Sequence, residues 1–114
     1  SDANIIDSMG WALYNLGYYG MAEKYLEQAA AAAPSNPVIS SHLGDVYWFT
    51  GRKNEARFQW QHALDLKDVS GEIDRKAIET KINDGIDKAP NFSYDKALVD
   101  KQLKLISSKE FAQQ

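Results

Sequence analysis

The side chains with chemical capacity in this 114-residue chain are its sixteen Asp and Glu, its two histidines and its serines, and no spacing among them assembles a reaction centre. Acid–base catalysis needs carboxylates gathered in a pocket that shifts their proton affinities. Here the acids are dispersed along helical stretches, where solvated surface accounts for them. His42 and His62 have no His-x-x-x-His partner and no acid–His pair at helical spacing, so the ligand count a metal needs is not met. Asp7-Ser8-Met9-Gly10 lacks the Gly-x-Ser-x-Gly elbow of a serine nucleophile. Gly17-Tyr18-Tyr19-Gly20 lacks the lysine and the spacing of a phosphate loop. Cysteine is absent, which removes disulfides, thiolate metal sites and thiol nucleophiles. The expectation is a protein that is not an enzyme and that carries no cofactor and no metal.

The elements that would position any site follow from a repeat. Gly10/Gly44, Gly17/Gly51, Ala22/Ala56 and Ala29/Ala63 recur at a spacing of 34 residues. This is the period of a helix-turn-helix unit, and the matched residues are the small ones such a unit needs where its helices cross and turn. Apolar residues at 5, 6, 9, 12, 13 and 16 mark a first helix, ended by Gly17. A second runs to Ala33 and is closed by Pro34-Ser35-Asn36-Pro37. The spacing predicts helices near 4–17, 20–33, 38–50, 53–67, 71–87 and 93–109. The fold class is all-α, with short turns pairing successive helices into antiparallel hairpins.

These residues resemble the tetratricopeptide repeat. The first unit carries Ile6, Met9-Gly10, Leu13, Gly17, Ala22, Leu26, Ala29 and Pro34 at the family's marked positions; the second carries Ser40, Leu43-Gly44, Tyr47, Gly51, Ala56, Trp60, Ala63 and Asp68. Ile6 and Ser40 replace the usual tryptophan, Leu13 the aromatic and Asp68 the proline, and none of these departures touches the small-residue crossings. The resemblance covers residues 3–68, is closest in wording to bacterial members, and implies a right-handed α–α superhelix. It divides the chain into repeat one (3–36), repeat two (37–70), a capping helix or degenerate third repeat (71–88), and a C-terminal helical arm (89–114). The opening Ser-Asp-Ala, without an initiator methionine, suggests a processed or excised piece carrying the C-terminal repeats of a longer protein.

Function also follows from the resemblance. The first helix of each unit lines a concave groove, whose positions fall on Asn4, Asp7, Ser8, Trp11, Tyr14 and Asn15, then on Val38, Ser41, His42, Asp45, Trp48 and Phe49. An aromatic and acidic groove of this kind suits a peptide that combines apolar anchors with a Lys or Arg against Asp7 or Asp45. The other reading of Trp11, Trp48 and Phe49 is that they cover the core or contact a further repeat. A carboxylate clamp like that of the family's chaperone-tail binders is disfavoured: the first-helix positions hold Asp7 and Trp11, the second helix offers His42, and only Arg75 and Lys76 on the third are basic. The partner is therefore expected to be a peptide or protein bound in the groove; the alternative is a structural C-terminal cap of a longer solenoid, self-associating into a homo-oligomer through residues 93–114. A net charge of −3 gives no basic footprint for nucleic acid. The apolar stretch Ala29–Ala33 is too short for membrane insertion. Localisation is not legible beyond a soluble protein of the bacterial cytoplasm or periplasm.

Overall fold

The structure of the protein, a computed structural model, describes residues 2–89. Five α-helices follow one another: α1 (Asp2–Asn15), α2 (Tyr19–Ala32), α3 (Pro37–Phe49), α4 (Lys53–Asp65) and α5 (Arg75–Asp84), then a 3-10 turn at Ile86–Lys88. Helix α1 pairs with α2 and α3 with α4, while α2 also packs on α3 and α4 on α5. Among the described residues there is no strand. The architecture is the all-helical α–α superhelix that the repeat implied. The sixth helix expected at 93–109 lies outside the described residues.

Each hairpin turns in the same way. Gly17 donates to the Tyr14 carbonyl at 2.9 Å and Tyr18 to the Leu13 carbonyl at 2.9 Å; Gly51 donates to Trp48 at 3.3 Å and Arg52 to Tyr47 at 2.8 Å. This pair of bonds, wrapped around a residue in the left-handed region, satisfies the last carbonyls of the helix. Gly17 and Gly51 both have φ of +85°, and Gly85, one further period along, has +99°.

The crossings explain the other glycines. A Cβ at Gly10 would lie 2.8 Å from Leu26 Cγ, and one at Gly44 would lie 2.4 Å from Trp60 Cδ1 and 3.1 Å from the Ala56 carbonyl oxygen. Leu26 and Trp60, at the same position of their helices, are fully buried together with Ala22, Ala29, Ala56 and Ala63. Small residues thus bring each pair of helices close enough for one large side chain to fill the joint.

Helix α3 starts where the sequence places a cap. The Asn36 side chain accepts from Val38 N at 2.9 Å and Ile39 N at 3.3 Å, with Pro37 as the first helical residue. The corresponding link before α5 departs from expectation, since that helix begins at Arg75 and not near residue 71. Asp68 stands where the first unit has Pro34, and its carboxylate accepts from Gly71 N at 3.0 Å, Ser70 Oγ at 3.0 Å and Ile73 N at 3.2 Å. These amides bond to a side chain and not to a helix, so helix formation waits for Asp74, whose Oδ1 caps Ala77 N. Partial desolvation opposes ionisation of Asp68, but the hydrogen bonds led by the Ile73 N–H outweigh it and hold the carboxyl below its ordinary value.

Ala77, Ile78 and Ile86 are buried, and Ile82 of α5 and Ile73, just before that helix, pack on the same core. Asp74, Arg75, Lys76 and Glu79 are exposed. Lys81, by contrast, is largely covered and reaches the second repeat.

Candidate functional site: the inner face of the first helices

The face shared by α1, α3 and α5 carries a histidine–carboxylate contact, an ion pair and an aromatic stack. His42 Nδ1 on α3 lies 2.9 Å from Asp7 Oδ1 on α1. The same imidazole lies flat on the Trp11 indole, with centroids 3.8 Å apart and 15° between planes, and Trp11 in turn stacks on Tyr14 at 4.6 Å. One turn further along α3, Asp45 Oδ1 accepts from Lys81 Nζ of α5 at 2.9 Å and from Trp60 Nε1 of α4 at 2.9 Å. The first pair ties α1 to α3 and the second ties α3 to α5.

The expected groove residues divide into two sets. Asn4, Ser8 and Asn15 are exposed on α1, with Trp11 half-buried among them; Val38, Ser41 and His42 are half-buried on α3. Ser8 Oγ donates to the Asn4 carbonyl at 2.9 Å, Asn15 Nδ2 to the Trp11 carbonyl at 3.0 Å, and Asn36 Nδ2 to Asn4 Oδ1 at 3.4 Å. Asp7 is buried in the floor against His42.

The second set faces inward. Phe49 is buried and stacks on Tyr19 at 5.0 Å, with Tyr14 tilted against both. Burial, with the Asp45 carboxylate and Tyr19 nearby, pushes the Tyr14 phenol well above its ordinary value, so it stays neutral. Trp48 packs on Trp60 at 5.7 Å, against Gly85, and under Lys53 Nζ at 4.7 Å and Arg57 Cζ at 5.2 Å. For Trp48 and Phe49 the reading that they cover the core is the one the geometry follows. Asp45 is buried too, and its carboxylate already holds Lys81. The expectation that a ligand's Lys or Arg would seat against Asp45 is thereby corrected, because a second cation would have to displace a buried partner.

Between α3 and α5 lies a cleft of about 110 Å³ lined by Val38, Ser41, His42, Glu72, Ile73, Asp74, Ala77, Ile78 and Lys81. It is well below the roughly 300–1,000 Å³ of small-molecule sites and has room for one side chain. A larger, shallower space of about 450 Å³ at the loop edge, lined by Ala33–Pro37, Lys67, Val69 and Ser70, shares no residue with it. Arg75 turns the other way, donating to the Leu64 carbonyl at 3.1 Å, so one of the two basic residues available to a clamp is engaged with α4.

Sequence reasoning missed both cross-repeat pairs. Asp7 and His42 are 35 residues apart and Asp45 and Lys81 are 36 apart, one period plus one or two residues, and that offset was the signal available. Among the described residues no three His, Asp or Glu side chains gather as a metal site, and no helix is long and apolar enough to cross a membrane.

Residues 3–36 match the tetratricopeptide repeat family model. No curated protein and no solved structure matches the chain significantly. The matched unit is followed, in 34-residue register, by a second hairpin with the same crossing glycine, the same left-handed turn glycine and the same buried alanines. Residues 3–36 are thus similar to a tetratricopeptide repeat, and the hairpin that follows continues its register.

Proposed function

We propose that the inner face binds an extended peptide, with Trp11 as the anchor platform and the α3–α5 cleft as a side-chain pocket. The repeat itself points to a protein-interaction module. The observation that carries the finer reading is the setting of Trp11: a half-buried indole whose ring is fixed by His42, which Asp7 holds in turn. A pre-ordered aromatic surface loses little conformational freedom on binding, and rigid Trp side chains of this kind dominate interface energetics. Asn4, Ser8, Asn15 and Ser41 surround it with amide and hydroxyl groups suited to a peptide backbone. Tyr14, Asp45, Trp48 and Phe49 support the face from behind.

The ligand carries an apolar side chain for the cleft walls of Val38, Ile73 and Ala77. Its basic group, where it has one, meets exposed Glu72 at the rim and not the occupied Asp45. Rim charge steers the encounter and is screened by salt, whereas the aromatic contact persists.

The test is selection of peptides from a displayed random library on the intact chain, followed by titration of the selected sequences. Trp11→Ala is expected to weaken them by about 2 kcal/mol or more, the scale of an interface hot spot, with helical content unchanged. Selected peptides that bind Trp11→Ala as well as the parent chain would place the partner surface elsewhere.

A further inference from the structure

His42 has one ring nitrogen engaged and one open. Its Nδ1 lies 2.9 Å from Asp7 Oδ1, and because a carboxylate only accepts, Nδ1 is the nitrogen that carries the hydrogen. In the unprotonated ring Nε2 is then left as a lone-pair acceptor. Among the described residues Nε2 makes no hydrogen bond, and no buried side-chain nitrogen lacks a partner, so Nε2 is open to solvent. The ring forms part of the wall of the cleft between α3 and α5, and the Trp11 indole stacked on it at 3.8 Å fixes the plane in which that lone pair points.

The charged groups around the ring are Asp7 of α1, Asp45 one turn along α3, Glu72 and Asp74 of the link before α5, and Lys81 of α5. The ammonium among them is already held, with Lys81 Nζ 2.9 Å from Asp45 Oδ1. Asp74 Oδ1 accepts from Ala77 N at 3.1 Å, and Glu72 is exposed at the rim. The cleft therefore joins the apolar walls of Val38, Ile73 and Ala77 to a surplus of negative charge and one uncommitted acceptor. A side chain with an apolar stem and terminal N–H donors matches both parts, and Lys and Arg have that construction.

We propose that His42 sets the specificity of this cleft: Nε2 accepts from a Lys or Arg of the bound peptide whose stem lies along Val38, Ile73 and Ala77, and protonation of His42 shuts that residue out. The inference rests on the groove reading and adds to it the class of anchoring residue and an acid sensitivity. Unprotonated, the ring offers a lone pair to the ligand's N–H while Nδ1 stays on Asp7. Protonated, Nε2 becomes a donor facing the ligand's own donors, and the imidazolium repels the incoming cation. Proton and ligand compete for one lone pair. Affinity is therefore present where His42 is unprotonated and is lost as the ring takes up a proton.

The test is titration of library-selected peptides on the intact chain at about pH 8 and again at about pH 5, the span over which imidazole side chains change charge. The selected peptides are expected to carry Lys or Arg and to lose affinity about tenfold or more across that span, the scale of a hydrogen bond to a charged group. The same peptide with norleucine in place of that Lys or Arg keeps the apolar stem and is expected to bind equally at both pH values. His42→Asn keeps a donor for Asp7 and removes Nε2, and is expected to abolish the pH dependence, with circular dichroism checking its helices at both pH values. Selected peptides that need Trp11 but carry no Lys or Arg, or that bind equally at both pH values, would overturn the role of His42 and leave the groove reading standing. A pH dependence that survives in His42→Asn or with norleucine would belong to the carboxylates and would overturn it too. Peptides that bind without regard to Trp11 would fail the groove reading itself, and this inference with it.

Discussion

Helices α1 and α3 occupy the same place in successive repeats, yet one is bare on its outer side and the other is sealed. Their outer stripes, Ile5, Met9, Ala12 and Leu16 against Ile39, Leu43, Val46 and Thr50, are alike in chemistry, so their own sequences do not decide the difference. The neighbour does: α2 covers α3, while among the described residues nothing stands in the corresponding place beside α1. In a repeat protein each unit contacts only the next, so the burial of a side chain belongs to an interface between units more than to the unit itself. The inner face shows the same logic. Trp11 and Asp45 are equivalent positions; Trp11 stays half-buried, stacked on His42 and Tyr14, whereas Asp45 is buried and closed over by Lys81 and Trp60.

The comparison can be broken hardest at the crossings. Gly44→Leu forces a side chain into the rigid Trp60 indole and the Ala56 backbone, and is expected to cost about 3 kcal/mol, the upper end for overpacking. Gly10→Leu meets the more yielding Leu26 side chain and is expected to cost about 1–2 kcal/mol on the same scale. Chemical denaturation of the two variants measures the difference, and equal losses would mean that the two crossings are not distinguished by what they oppose.

Next in size is the tie between α3 and α5. Lys81→Met leaves the buried Asp45 carboxylate with Trp60 but without its cation, and is expected to destabilise by about 2 kcal/mol, below the 3–5 kcal/mol of fully buried pairs because Lys81 keeps some solvent contact. Adding Asp45→Leu to that variant is expected to restore part of the loss in thermal melting, since the unpaired charge is then gone. Removing the cap of α3 by Asn36→Ala is expected to cost about 1 kcal/mol, seen as a lower denaturation midpoint.

The smallest effect concerns acid. Asp68 has a folded-state affinity for protons below that of the unfolded chain, so its contribution is present above the ordinary carboxylate value of 3.8 and is lost as pH falls through the lower folded value. Melting of the parent chain is expected to fall more steeply below that pH than melting of Asp68→Asn. Parallel profiles would remove the Asp68 loop as a source of acid sensitivity.

Most of the fold was legible because it rests on local sterics. Gly10, Gly17, Ala22 and their partners one period on must be small wherever helices cross or turn, and such constraints leave a direct mark on the sequence. The start of α5 was not legible, because it depends on a side chain: whether Asp68 collects the next amides or leaves them to a helix is a competition that residue spacing does not record. The groove was legible as a helix face but not as a list of contacts. Trp48 and Phe49 sit at groove positions by register, yet their bulk is drawn into the joint with Trp60 and Tyr19. Asp7–His42 and Asp45–Lys81 each join different repeats, and a pairing between units has no periodic signature within either one.

The most direct test of the difference between the two first helices is the stability of Leu43→Ala set beside that of Met9→Ala, both measured by denaturant unfolding of the full chain. These are the same repeat position, 2% exposed in α3 and 46% exposed in α1. Leu43→Ala is expected to cost about 2–5 kcal/mol, as for a buried large-to-small change, and Met9→Ala no more than about 0.5 kcal/mol, as for an exposed site. Comparable losses at the two positions would contradict the account, because they would show that the stripe on α1 is already covered in the protein as it stands.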